Sequence, residues 1–287
     1  KEMSRNRWLY LLALPGFVFM FIFMYLPMQG HIIAFKDFNA IKGVWGSEWV
    51  GLANIKFFFS GGDWLRITYN TVFLNVLFIG FGTILALIVA IFLNEMKVKW
   101  FKRLSQTLVI LPHFISFMVV FMMVNQLFNS QNGYMNQILE RFGKEPLGWY
   151  QSPELWPAIL TIIMVWKGAG WGSIIYLATM AGFSDDYYES ARIDGASRVQ
   201  QIWYITLPLL RPTIIILTLL ALGGIFHGNF GLIYGIIVDN ALLYPSTDVI
   251  DTYTYRALRF NGQYGMSSAI ALMQSLLGFI TIVFFNW

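Results

Sequence analysis

The stretch TVFLNVLFIGFGTILALIVAIFL, residues 71–93, contains no charged side chain. As a helix it is long enough to cross the hydrocarbon core of a bilayer, which takes about 20 apolar residues and demands that every backbone polar group be paired within the segment. Working outward, the same criterion finds spans at about residues 8–33, 104–127, 156–181, 207–237 and 266–285, six in all, so the expected fold is an all-α integral membrane protein. Of 287 residues, 57% are hydrophobic and 12% charged, roughly half the ~25% charge of a soluble domain. No strand-rich or low-complexity segment interrupts this pattern, and residues 1–287 read as a single transmembrane domain. The 19 Lys+Arg and 15 Asp+Glu sit in short clusters between apolar runs, which argues against nucleic acid as a partner.

Several chemistries drop out. The absence of cysteine excludes disulfides, a thiol nucleophile and Cys-ligated metals, and His31, His113 and His227 lie too far apart for a metal-ligand spacing. Gly143-Lys144 is followed by Glu and lacks the upstream glycine of a phosphate loop. With no Ser/His/Asp constellation and no carboxylate pair inside a span, no catalytic residue is expected. The first apolar run is too long for a removable signal peptide and has no small-residue cleavage site after it, so it reads as a retained span. The sequence starts at Lys1 and stops at Trp287 inside apolar sequence, as expected of trimmed ends.

Orientation follows from basic residues in short segments near span ends. Lys1, Arg5 and Arg7 precede the first span, and Lys97, Lys99, Lys102 and Arg103 crowd the second connection, so both termini are expected in the cytoplasm. The outer connections, about 34–70, 128–155 and 238–265, are longer and mix their basic residues with acids. In the first of them Ile55-Lys56-Phe57-Phe58-Phe59 suits either the membrane interface or a ligand contact. Pro15-Gly16 and Pro27 predict a kinked first span. Gly168-x-x-x-Gly172, Gly224-x-x-x-Gly228 and Gly231-x-x-x-Gly235 predict tight packing in spans four and five. Five glycines between Gly223 and Gly235 leave the fifth span either closely packed or broken to line a cavity.

Residues 183–206 are the one long cytoplasmic connection. Ser184 is placed to cap a helix with Asp185 and Asp186 in its first turn, Gly195 allows a break after Asp194, and a second helical stretch is expected to end at Leu207-Pro208. A plain connection between antiparallel helices takes roughly 2–8 residues; this one is longer and sets Ile193, Val199, Ile202 and Trp203 among charges, as a partner-binding segment would. Glu189-x-Ala191-x-x-x-Gly195, followed by Ile205-x-Leu207-Pro208, resembles the EAA loop of ATP-binding-cassette importer permeases, with Ser190 where that family more often has alanine. The resemblance extends through Gly51-Leu52-x-Asn54, Asn70-Thr71, Leu93-Asn94-Glu95, Leu111-Pro112-His113-Phe114, Trp171 to Tyr176 and Asp248 to Tyr253. It is similar to the maltose-type polysaccharide and sugar permeases, and within them to permease subunits of bacterial alginate importers.

That resemblance implies a type I importer permease in the bacterial inner membrane, a homologous second permease, two ATPase subunits that use ATP and Mg, and a periplasmic solute-binding protein delivering an oligosaccharide, acidic if alginate-like. It also implies that Glu189, Ser190, Ala191, Asp194, Gly195, Ile205, Leu207 and Pro208 form the segment docking on the ATPase, with Glu189 engaging it electrostatically and Gly195 turning the chain. For the substrate path the sequence offers Lys167, a charge near the middle of span four, where an unpaired ammonium costs at least ~2.5 kcal/mol. Its partner is backbone carbonyls, a water cavity, the second permease or an anionic substrate. Trp171, Tyr176, His113, His227, Asn229 and Tyr234 are further polar or aromatic positions, each suited to sugar contact or to internal hydrogen bonding. Of two rival readings, an ion-gradient transporter or channel lacks the intramembrane carboxylates it requires, and a membrane-bound enzyme has only the acids around Asp185 to Asp194 as a candidate cluster.

Overall fold

The computed structural model describes residues 6–286; Lys1 and Arg5 of the orientation argument lie outside them. Helices α1 (Arg7–Phe35), α2 (Ala53–Ser60), α3 (Trp64–Glu95), α4 (Lys99–Ile110), α5 (Phe117–Phe128), α6 (Tyr134–Arg141), α7 (Trp156–Met180), α8 (Asp185–Ile193), α9 (Arg198–Leu222), α10 (Phe230–Ile237), α11 (Ile250–Asn261) and α12 (Tyr264–Phe285) follow in chain order. A two-residue antiparallel hairpin, β1 (Lys36–Asp37) and β2 (Glu48–Trp49), lies between α1 and α2. Among the described residues α1, α3, α7, α9 and α12 are long and apolar enough to cross a bilayer, and α4 with α5 makes a sixth span when the bent pair counts as one.

Two spans depart from the sequence expectation, each for a backbone reason. Residues 104–127 are not one helix: α4 tightens into a 3-10 turn at Leu111–Phe114, Ile115 is extended, and α5 starts afresh from the Ser116 cap, at 93° to the first arm. Pro112 has no N–H to give and crowds the preceding turn, which ends the α-helical ladder there. The fifth run divides as well. Its helix begins at Arg198 and ends at Leu222, and turns then lead to α10, so of the two readings of the glycine cluster the broken one is realised.

Prolines elsewhere change the winding of the helix without ending it. In α1 a π-helical turn, Phe21–Tyr25, precedes Pro27 by two residues, and in α9 another, Ile202–Thr206, precedes Pro208 by the same interval. The Leu207 N–H reaches back to the Ile202 carbonyl, and this wide turn makes room for the proline ring. The helix therefore runs through Leu207-Pro208 and Pro212 instead of stopping there.

Contacts divide the chain into two compact units, one comprising residues up to Trp64 with Thr254–Leu276, the other Leu65–Tyr253 and the chain from Leu277. In the first unit Asn54 Nδ2 donates to the carbonyls of Ala34 (2.9 Å) and Lys36 (3.0 Å), and Lys36 Nζ donates to those of Val44 (2.9 Å) and Trp45 (3.1 Å). Phe58 of the aromatic patch is buried while Phe57 and Phe59 remain exposed.

The second unit has two apolar clusters along α3 and α7. Leu74, Phe78, Val120, Val124, Trp156, Leu160, Leu232 and Ile236 join α3, α5, α7 and α10. Ala86, Ala90, Tyr176, Met180 and Leu210 join α3, α7 and α9. Gly170 sets the closest helix approach, since a Cβ there would run into the Val109 carbonyl of α4. The glycine-pair expectation holds in part: Gly172 packs on Ala86, and Gly231 and Gly235 of α10 face Phe117 of α5, whereas Gly168 has open space and Gly224-x-x-x-Gly228 lies in the turns after α9, where no helix face exists. At the start of α7 Trp156 is fully buried and donates from Nε1 to the Trp149 carbonyl at 2.8 Å.

Beside Trp156 the Tyr150 hydroxyl is buried without a hydrogen-bond partner among the described residues, and burial pushes its pKa up to about 12 from 10.0. The folded state thus holds this proton more tightly than the unfolded chain, so the linked stability is complete below about pH 10 and is lost as pH rises towards 12. Tyr150→Phe, which removes a buried polar atom that has no partner, is expected to raise stability by about 1 kcal/mol near neutrality. Melting curves of the two proteins at neutral and alkaline pH should show the variant with the smaller alkaline loss.

Candidate functional site

The most distinctive exposed structure is the hairpin formed by α8 and the start of α9. Ser184 caps α8, its Oγ accepting from the Asp186 N–H at 3.3 Å, and Asp185 and Asp186 occupy the first turn, where unpaired N–H groups favour acids. The helix closes when the Asp194 N–H bonds to the Ser190 carbonyl (3.0 Å) and the Ala196 N–H to the Ala191 carbonyl (2.8 Å). That closure puts Gly195 at φ +78°, a conformation in which a Cβ is strained. Ser197 opens α9 with a reciprocal capping box to Gln200, a Ser-x-x-Gln spacing visible in the sequence although the sequence reading did not use it.

The two arms are fastened by Tyr188 Oη to Thr206 Oγ1 at 3.1 Å, and Gln201 Nε2 holds the turn by donating to the Ala196 carbonyl at 3.0 Å. Ala191, Asp194, Gly195 and Ile205 share one cleft of about 270 Å³, which Gln200, Gln201 and Tyr204 also line, so the structure brings these four of the predicted residues together. Ser190 is exposed on α8, and Leu207 and Pro208 lie further along α9. Glu189 is well exposed, its carboxylate 3.7 Å from Arg192 one turn on. On the same hairpin Ile193 (86% exposed), Val199, Trp203 and Tyr204 also leave apolar surface exposed. A rim of charges around exposed aliphatic and aromatic side chains is the composition of a docking surface. Arg198, 3.5 Å from Glu95, ties the hairpin to the end of α3.

Within the spans, Lys167 and the α4–α5 bend explain each other. The bend frees carbonyls at apolar depth, and Lys167 Nζ donates to those of Pro112 (3.2 Å), His113 (2.7 Å) and Ile115 while lying 5.0 Å from the Phe117 ring centre. Of the partners left open by the sequence, backbone carbonyls are the ones in contact, and the lysine is only 9% exposed. On the outside of the bend the His113 ring stacks on Trp171 at 4.5 Å, and Phe114 meets both edge-on.

The remaining path candidates separate. His227 and Asn229 line a cavity of about 260 Å³ with Asn75, Phe78, Ile79 and Met164. Asn75, a polar residue in mid-α3 that the sequence reading passed over, donates to the carbonyls of Ile225 and His227, both at 3.0 Å, and so holds the turn after α9. Asn229 caps α10 through the Leu232 N–H at 3.0 Å. Phe78, Ile79 and Met164 also line an adjoining cavity of about 280 Å³ that reaches Tyr176. Tyr176 is buried in the α3–α7–α9 cluster, so it does not accompany Lys167 and Trp171, and Tyr234 Oη donates to Asp239 at 3.3 Å. Among the described residues no group of His, Asp and Glu is arranged to hold a metal ion.

Comparison with known proteins addresses the chain as a whole. Residues 82–287 match the family described as the binding-protein-dependent transport system inner membrane component. Protein LplB of Bacillus subtilis is 36% identical over 285 residues, 99% of this chain and 89% of that protein. The polygalacturonan/rhamnogalacturonan transport system permease protein YteP of Bacillus subtilis is 32% identical over 285 residues, covering 99% and 88% respectively. The crystal structure of a bacterial ABC transporter involved in the import of the acidic polysaccharide alginate contains a chain that superposes with a TM-score of 0.89 at 32% identity, covering 100% of this chain and 96% of that one.

Proposed function

The chain belongs to the binding-protein-dependent transport system inner membrane components, and on that premise we propose that it is one half of a permease heterodimer that imports an acidic oligosaccharide. It is a multi-pass inner membrane permease of an ABC sugar importer, not itself catalytic; ATP is bound by the partner ATPase. The observation that carries the proposal is the α8–α9 hairpin, which leaves the Glu189 carboxylate and the side chains of Ile193, Val199, Trp203 and Tyr204 all exposed. Docked on an ATPase subunit, this hairpin would transmit closure of the ATPase pair to α9, which runs unbroken from Arg198 into the membrane. Helices would then rock between inward- and outward-facing states. In this reading both termini are cytoplasmic and the solute-binding protein delivers substrate to the opposite side. The acidic substrate rests on likeness to the alginate transporter.

Reconstitution of the complete complex with its binding protein tests both levels. Uptake of a labelled alginate oligosaccharide is expected to require hydrolysable ATP and the ATPase subunit, and to exceed uptake of a neutral oligosaccharide of equal length. Uptake driven by an ion gradient without ATP overturns the coupling, whereas ATP-driven uptake that prefers the neutral sugar overturns the substrate alone.

A further inference from the structure

The short connection between α3 and α4 and the first turns of α4 separate charge from apolar surface in a way that the α8–α9 docking surface does not account for. Lys99, Lys102, Arg103 and Gln106 follow i, i+3, i+4, i+7 spacing and share one face of α4, with Lys97 just before it. The other face carries Trp100 (71% exposed), Phe101, Leu104 and Leu108. None of the four basic side chains forms an ion pair among the described residues, and the neighbouring acid, Glu95, is engaged with Arg198. The arm Lys99–Phe114 leaves the direction of α5 at 93°, so α4 does not continue that helix as a straight span. At 12 residues it is about 18 Å long, too short to cross a core of ~30 Å by itself.

We propose that Lys97, Lys99 and Arg103 bind anionic phospholipid headgroups of the leaflet on their side, with Trp100, Phe101 and Leu104 set among the acyl chains. A polar acidic surface would satisfy the cations but leave the aromatic face in water. The boundary between headgroups and chains satisfies both faces at once, and the long basic side chains reach back to phosphate from the apolar side. The Glu95–Arg198 pair sets this site next to the hairpin, so occupancy would bear on coupling. That consequence rests on the docking role proposed above; the lipid site does not.

The test is native mass spectrometry of the complete complex released from nanodiscs containing equal phosphatidylglycerol and phosphatidylcholine. The native complex should retain phosphatidylglycerol preferentially, by about fivefold per engaged basic residue. Lys97→Gln/Lys99→Gln/Arg103→Gln should reduce that preference to at most about twofold with the ATPase subunits still bound. No preference in the native complex overturns the proposal, as does a triple variant that keeps the preference but sheds the ATPase, since the cluster would then belong to that subunit. If the triple variant fails to assemble, raising salt from about 0.05 to about 0.5 M should cut phosphatidylglycerol retention by the native complex several-fold and leave phosphatidylcholine unchanged. Salt-independent retention overturns the proposal.

Discussion

Glu189→Lys is expected to abolish ATP-driven uptake while leaving the permease folded. The carboxylate is 65% exposed and its one ion pair, to Arg192 at 3.7 Å, spans a single helical turn. Such a pair is worth about 0.5 kcal/mol at most, so reversal costs the fold little. At a docked surface the arithmetic differs. Placing a like charge where an opposite one was desolvated costs several kcal/mol, and about 3 kcal/mol is already a ~100-fold loss of affinity. The ATPase subunits should therefore co-purify at least about 100-fold more weakly with the variant, and uptake should fall in parallel, while its thermal transition without ATPase stays within about 1 °C of native. Glu189→Gln, which removes charge without reversing it, should lose about tenfold. Unchanged ATPase binding with charge reversal would place the contact elsewhere on the hairpin, at Ile193, Val199 or Trp203, and remove the electrostatic part of the coupling argument.

How much of this was legible beforehand depends on how local the deciding interactions are. The α8 cap at Ser184 and the turn at Gly195 were readable because caps and left-handed turns are chosen by residues within a few positions. The apolar runs were recognisable as spans because a bilayer imposes their length, although two of them turned out to be bent or broken. The 93° bend was not: Pro112 sits inside an apolar run, where hydrophobicity carries no information about helix direction. Its stabilising donor lies more than 50 residues away at Lys167, so neither residue explains itself alone. Gly170 escaped because the i, i+4 glycine rule concerns helix faces, whereas this glycine meets the Val109 carbonyl of α4. Asn75 was the signal that could have been used, since a carboxamide in the middle of a long apolar run needs a partner; here it is the turn before Asn229.

Lys167→Met should destabilise the second unit by about 3–5 kcal/mol, the largest stability effect expected of a single side chain here. Methionine fills similar volume but has no donor, so the carbonyls of Pro112, His113 and Ile115 would lose a shared ammonium at a depth where water does not replace it. The cation–aromatic contact to Phe117 disappears with it. The bend would then relax or open, and the stacking of His113 on Trp171 depends on the same backbone. In detergent, an apparent melting temperature lowered by on the order of 10 °C would register this, with Lys167→Arg recovering about half because a guanidinium still offers several donors. Uptake separates a structural lysine from one that guides an acidic substrate. For a structural lysine, loss of transport should track loss of stability across Met, Gln and Arg variants, for acidic and neutral oligosaccharides alike. A Met variant that melts like the native protein yet fails only with the acidic oligosaccharide would show that the ammonium's task is to meet substrate charge, and that the bend holds without it.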